Sequence, residues 1–219
     1  MFDKKNLLIQ SNILWDKSRA EYDEIYNDED EYKDIMDYRQ LHSKVVADLA
    51  LSFYDNYFKD ICGTSDEKLK SSLYFGCLVH DTKKLTQNHN LIGADFLKSS
   101  ADLIDTSFFD LSLSYVLVRY HTASKKRNTP EYFKEISDLS AEIKILLLFT
   151  RLSDKLSKLV VKSSYKEIMP ADVDEIISKT VNRSPELINA YSATNPMINS
   201  IALSFKNKYC INFKNGISN

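Results

Sequence analysis

Residues 67–84 read EKLKSSLYFGCLVHDTKK. The stretch begins charged, turns apolar, and delivers His80 and Asp81 at its end. Leu73 and Cys77 precede His80 by seven and three residues, which is one face of a helix. That face is apolar enough to be buried. A carboxylate placed there needs partners, because an unpaired buried charge costs roughly several kcal/mol.

Two other predicted helices supply candidates. Val45, Val46, Leu49 and Phe53 recur at helical spacing over residues 38–58, and His42 stands three and four residues before the first two. A long helix is expected from about Leu139 to Lys162. Asp154 lies there four, seven and eleven residues after Thr150, Leu147 and Ile143, on the apolar face. A lone histidine on such a face is ordinarily a hydrogen-bonded core residue, and a His-Asp dipeptide is common. The joint pattern decides otherwise. The chain has only four histidines, His42, His80, His89 and His121, and all join this set. Imidazole and carboxylate are natural ligands of a divalent transition metal, which would remove the cost of burying them.

Composition sets the frame. The chain has 219 residues, four glycines and four prolines, a scarcity that favours helices over the many turns of an all-β fold. The net charge is -2 with a pI near 6.1, unlike the broad basic surface of a general nucleic-acid binder. Cys62, Cys77 and Cys210 are odd in number and form no CxxC pair, so buried thiols in a reducing compartment are expected. No signal-peptide pattern or apolar run of membrane-spanning length is present, and the expectation is a cytoplasmic protein without a membrane partner.

The expected architecture is all-α: a helical bundle over 38–162, an N-terminal helical extension over 1–37 and a C-terminal one over 163–219. An amphipathic helix is predicted over 4–26, carrying Leu7, Leu8, Ile13, Leu14 and Trp15. The acidic run NDEDEYKD, 27–34, reads as a solvated linker or helix start. Ser65 is expected to cap the helix over 67–80, with Lys68 at the capping-box position. Shorter helices are expected over Asn90–Ser99 and Leu111–Tyr120, and TASKKRNTPEYF, 122–133, reads as a polar loop. Further helices are expected in ADVDEIISKTV, 171–181, and near Ile198–Phe205. Tyr38, Phe75 and Tyr120 could stack a base, but at helical spacing they read as core.

The order His…His-Asp…Asp on helices resembles the HD superfamily of metal-dependent phosphohydrolases, and an HD-domain helical bundle is the fold this implies. The details are similar to the YqeK-type proteins of that superfamily. YRQLHSKVVADLA (38–50) resembles their first motif, and CLVHDTKK (77–84) their HDxxK segment. HNLIGADFL (89–97), LVRYHTASKK (117–126) and RLSDKLSKL (151–159) resemble the three motifs that follow. Lys83 stands where many HD proteins have glycine, and Ser153 precedes the final Asp-Lys pair.

The resemblance implies symmetrical hydrolysis of diadenosine tetraphosphate at a two-metal centre of iron type, with manganese, nickel, cobalt and zinc as the other candidate ions. It implies that His42, His80, Asp81 and Asp154 hold one ion, and that Asp81 bridges to a second held by His89 and His121. Asp81 and Lys84 are the implied catalytic residues, and Arg39 and Lys84 the implied phosphate contacts. Lys125, Lys126 and Arg127, in the loop after His121, are read as a clamp for polyphosphate or as solvated loop. The expected partner is a small nucleotide. Two competing readings stand beside it: an HD-type nuclease or phosphodiesterase acting on single-stranded nucleic acid or cyclic nucleotides, and a non-catalytic binding module. Nothing in the chain suggests a covalent nucleophile, since no serine or cysteine has a histidine to spare.

Overall fold

In the computed structural model, which describes residues 2–26, 30–122, 129–163 and 167–210, the described residues form helices and no strand. The helices are α1 (Lys4–Tyr26), α2 (Asp30–Phe53), α3 (Lys59–Cys62), α4 (Glu67–Val79), α5 (His89–Ser99) and α6 (Leu111–Tyr120). They continue with α7 (Pro130–Ser137), α8 (Ala141–Lys162), α9 (Pro170–Asn182), α10 (Pro185–Ile188) and α11 (Thr194–Tyr209). A π-helical turn, Tyr54–Phe58, joins α2 to α3, and Gly63 ends the run at φ 73°, a left-handed conformation that suits glycine. The all-α bundle expected from composition is observed.

α4 is the central rod. Every residue from Ser71 to Val79 is buried, and α1, α2 and α6 pack around it. Gly76 is where α6 comes closest: a Cβ added there would lie 3.3 Å from Leu117 Cβ. α2 also packs on α8, whose residues 145–154 are all buried, and α5 leans on α6. Burying each large aliphatic side chain contributes about 1.5–3 kcal/mol, so this continuous apolar interior fixes the mutual positions of α2, α4, α6 and α8. The C-terminal helices cover the outside of α8, through α9 and α10, and α11 packs on α9.

Local signals explain the helix starts. Asp66, not Ser65, caps α4, its carboxylate accepting from the Lys68 and Leu69 backbone N–H groups at 2.5 and 3.2 Å. An ionised oxygen next to the helix outcompetes the hydroxyl before it, because it also meets the positive end of the helix dipole. Asp110 caps α6 and Ser140 caps α8 in the same way. The expected loop over 122–133 is corrected in its last part. Thr129 caps α7, and Pro130 occupies its first position, where proline's missing N–H costs nothing. The acidic run, read as a linker or helix start, is helix from Asp30.

The two departures from the motif pattern are both buried. Lys83 pairs with Glu21 of α1 and lies over the Tyr22 and Phe96 rings at 5.0 and 4.2 Å. Trp15 Nε1 donates to the Leu78 carbonyl at 2.9 Å, and Ser18 Oγ donates to the Thr82 carbonyl at 2.5 Å. The N-terminal helix therefore braces the turn that carries Asp81. Ser153 is buried in α8 beside Asp154. Cys77 and Cys210 are buried free thiols, Cys62 is partly buried, and burial raises the Cys77 pKa to about 12. Phe75 stacks on Phe109 in the core, as expected, whereas Tyr38 is exposed. Among the described residues no helix is long and apolar enough to cross a membrane.

Candidate metal centre

Six buried side chains from five segments meet inside the bundle. His42 comes from the middle of α2 and Asp154 from the middle of α8. His80 and His121 are the C-cap residues of α4 and α6. Asp81 follows in the turn after α4, and His89 opens α5 after Asn88, whose φ of 52° turns the chain sharply. Asparagine tolerates that left-handed conformation better than most residues.

The C-cap placement settles two ring orientations. The last carbonyls of a helix lack intrahelical donors. His80 Nδ1 donates to the Cys77 carbonyl and His121 Nδ1 to the Val118 carbonyl, each at 2.7 Å. Both rings then turn Nε2 to the interior. His42 is oriented from α8: Ser157 Oγ gives its proton to the Asp154 carbonyl and therefore accepts from His42 Nδ1 at 3.1 Å. Fixing one ring nitrogen by hydrogen bonding is how proteins prepare the other as a ligand.

The inward atoms crowd one another. His42 Nε2 lies 3.1 Å from Asp154 Oδ1, and His89 Nε2 lies 3.2 Å from His121 Nε2. Asp81 Oδ1 stands 3.6 Å from His80 Nε2, 3.5 Å from His89 Nε2 and 3.8 Å from His121 Nε2. His80 Nε2 and Asp81 Oδ2 are buried without a hydrogen-bond partner. Ligand atoms of His42, His80 and Asp154 lie within 4.8 Å of one another, as do those of His80, Asp81 and His121. These buried groups could hold a metal ion. The donor set fits one: acceptors gathered around orphaned atoms, with imidazoles and carboxylates as the ligand types.

Protons do not fill the same need for most of the rings. Burial lowers the His42 and His121 pKa values; for His121 the charges on His80 and His89 add to it. Burial and the Lys84 ammonium bring His89 down to about 4. His80 alone goes up, because Asp81 and Asp154 together outweigh the burial that opposes its charge. Burial likewise opposes the charge of both aspartates, but cations win: His80 and Lys84 hold Asp81 below the usual carboxylate range, and Lys155 and His80 hold Asp154 there. Both carboxylates are ionised near neutrality.

Lys84 Nζ lies 3.1 Å from Asp81 Oδ1 and 3.0 Å from His89 Nε2, so its ammonium already meets two atoms of the second ligand group. Arg39 Nη1 stands 3.6 Å from Asp81 Oδ2, near enough for attraction and too far for a hydrogen bond. Lys125, Lys126 and Arg127 lie outside the described residues. Every other candidate from the sequence is brought to this cluster.

Several contributors were missed. Ser157, Lys155 and Lys158 follow Asp154 by three, one and four residues, a spacing that puts Ser157 and Lys158 on its helical face. Arg151, 1% exposed, pairs with Glu186 at 2.6 Å and donates to the Tyr120 carbonyl at 3.1 and 3.0 Å, tying the His121 end of α6 to α8 and α10. Beside the cluster opens a cavity of about 330 Å³, lined by Lys84, His89, His121 and Asp154 and also by Lys179 and Arg183 from α9 and its C-cap. A second opening of about 500 Å³, lined by residues 84–89, meets it at Lys84 and His89.

Comparison with known proteins gave no matching family model, no matching curated protein and no matching solved structure. The fold and the site therefore define a class by geometry alone: an all-α protein whose buried histidine-aspartate cluster could hold metal.

Proposed function

We propose that the protein is a metal-dependent phosphohydrolase of the HD type that cleaves a phosphoanhydride bond in a nucleotide, with symmetrical cleavage of diadenosine tetraphosphate as the favoured reaction. The observation that carries this reading is the pair of orphaned buried atoms, His80 Nε2 and Asp81 Oδ2, in a cluster of four histidines and two aspartates. A structural core has no use for so many imidazole and carboxylate atoms turned toward one another, two of them without a hydrogen-bond partner. In this reading His42, His80 and Asp154 would hold one divalent ion, and His89 and His121 a second, with Asp81 available to either, since a carboxylate has two oxygens to offer. The motif resemblance points to iron in both positions.

The bound ions would supply Lewis acidity, neutralising phosphoryl oxygens and acidifying water toward neutral pH. The remaining work falls to the chain. Asp81 and Asp154, both ionised, accept hydrogen bonds from the attacking water and orient it. Lys84 faces the cavity and neutralises a phosphoryl oxygen as a mobile point charge. Arg39, attracted to Asp81 Oδ2, positions that carboxylate. Positioning and charge stabilisation are most of what phosphoryl transfer requires. In the balanced reaction the water oxygen bonds to phosphorus as the anhydride P–O bond breaks. One water is consumed and two nucleoside diphosphates leave.

The test is a substrate panel with the metal-loaded protein: diadenosine tetraphosphate, mononucleotides, cyclic dinucleotides and single-stranded oligonucleotides. Conversion of the tetraphosphate to ADP alone, lost in Asp81→Ala, is expected. Degradation of the oligonucleotides with the tetraphosphate intact would replace this reading with a nuclease, and no cleavage by metal-loaded protein would leave a binding module.

A further inference from the structure

The cavity beside the cluster is built to a charge opposite to that of the chain. The whole protein carries -2, yet six lining side chains are cationic, Lys84, Arg151, Lys155, Lys158, Lys179 and Arg183, and one is a carboxylate, Asp154. Two of the six are committed elsewhere, Arg151 to Glu186 and Lys155 to Asp154. Lys84 belongs to the cluster. Lys158, Lys179 and Arg183 remain, and they form a wall contributed by the last turns of α8 and α9. No carboxylate among the described residues lies within ion-pair distance of Lys158 or Arg183, and Lys179 pairs only with the exposed Glu175. Lys158 is half-buried, and burial lowers its pKa, so the fold pays to keep an ammonium there.

We infer that Lys158, Lys179 and Arg183 form a binding subsite for the phosphate chain of the substrate, so that the C-terminal helix α9 selects a polyphosphate over a single phosphate group. The inference rests on the phosphohydrolase reading for its word "substrate", but the anion subsite itself does not need catalysis. Three cations on one wall attract an extended polyanion by several contacts at once, whereas orthophosphate can reach only one end of them. The cavity volume, about 330 Å³, falls within the range of small-ligand sites, about 300–1,000 Å³. Such a chamber suits a nucleoside polyphosphate. A nucleic-acid strand would call for a longer basic groove.

The experiment is calorimetric titration of the full, metal-loaded chain with magnesium tripolyphosphate, a form that spares the centre from chelation. Lys158→Ala, Lys179→Ala and Arg183→Ala should each weaken binding about tenfold or more, as the loss of a charge-assisted contact does. Lys98→Ala, remote from the cavity, should leave binding unchanged, and Lys179→Arg should largely retain it. Circular dichroism melts check that the variants fold. Unchanged tripolyphosphate affinity in the three variants overturns the subsite. So does tighter binding of a short oligothymidylate that is lost in the same variants, since the wall would then track nucleic acid. The two readings fail separately. Hydrolysis of the tetraphosphate with unaltered KM in the wall variants removes the subsite and leaves the enzyme. Loss of affinity in those variants without hydrolysis of any compound in the panel removes the enzyme and leaves the subsite.

Discussion

Ser157 shows how much a single hydroxyl can decide. Its proton is directed to the Asp154 carbonyl, so it accepts from His42 Nδ1, which holds the ring with Nε2 turned toward Asp154. Ser157→Ala should therefore weaken metal binding by about 10–100-fold while leaving all the ligands in place. Chelator competition measures it, and an unchanged affinity would contradict the tautomer assignment. The same rings set the acid response of the metal-free protein. Burial lowers the pKa values of His42 and His121 and brings His89 to about 4, below the unfolded value of about 6.5. Between those values the unfolded chain binds more protons, so this contribution is lost as pH falls through the window. Asp81 and Asp154, also held low, contribute in the same sense at lower pH, whereas His80, raised, contributes below about 6.5 and loses it as pH rises. Between about pH 5 and pH 7 only the rings titrate, and three oppose one. Thermal melts in chelator should show a lower Tm at about pH 5 than at about pH 7; a Tm that rises on acidification would contradict the burial of neutral imidazoles. At this scale His42, His80 and Asp154 were legible because helical spacing places them on apolar faces, while the ligand roles of Asp81, His89 and His121 came with the motif resemblance. Ser157 was not, because its role depends on α2 lying against α8, which no local pattern reports.

Among the elements, the junction of α6, α8 and α10 is tied by one buried guanidinium. Arg151 is buried, pairs with Glu186 and donates to the Tyr120 and Thr122 carbonyls that end α6. Arg151→Ala strands a buried carboxylate and two carbonyls, and should cost about 3–5 kcal/mol of stability. Urea denaturation reads this directly, and a loss under about 1 kcal/mol would mean that the junction relaxes around the gap. Replacing Glu186 with Gln in the same chain should recover part of the loss. The longer helices were legible from periodicity, but α7 lay partly in a segment read as loop and α10 was not read at all, and boundaries followed competition between neighbours, as with Asp66 over Ser65. The role of α1 was not legible. Lys83 looked like a departure from a motif, and only its pairing with Glu21 shows that an added helix occupies the space beside the Asp81 turn.

For the molecule as a whole, an apolar interior built from α2, α4, α6 and α8 holds ionisable groups that such an interior would otherwise exclude. The all-α architecture was legible because glycine and proline are scarce and the helical periods are long. The cationic cavity was not, since Lys158, Lys179 and Arg183 are ordinary surface residues in sequence and converge only when α9 folds back on α8. Everything functional depends on whether the buried cluster is a metal site. Elemental analysis of the purified chain, after loading with iron, manganese, nickel, cobalt or zinc and removal of free ion, tests this most directly. The account predicts about two tightly held ions per chain for at least one of these metals, falling toward one in His89→Ala and His121→Ala and to fewer still in Asp81→Ala, with helicity retained. A wild-type chain that retains no stoichiometric metal from any of them would contradict it.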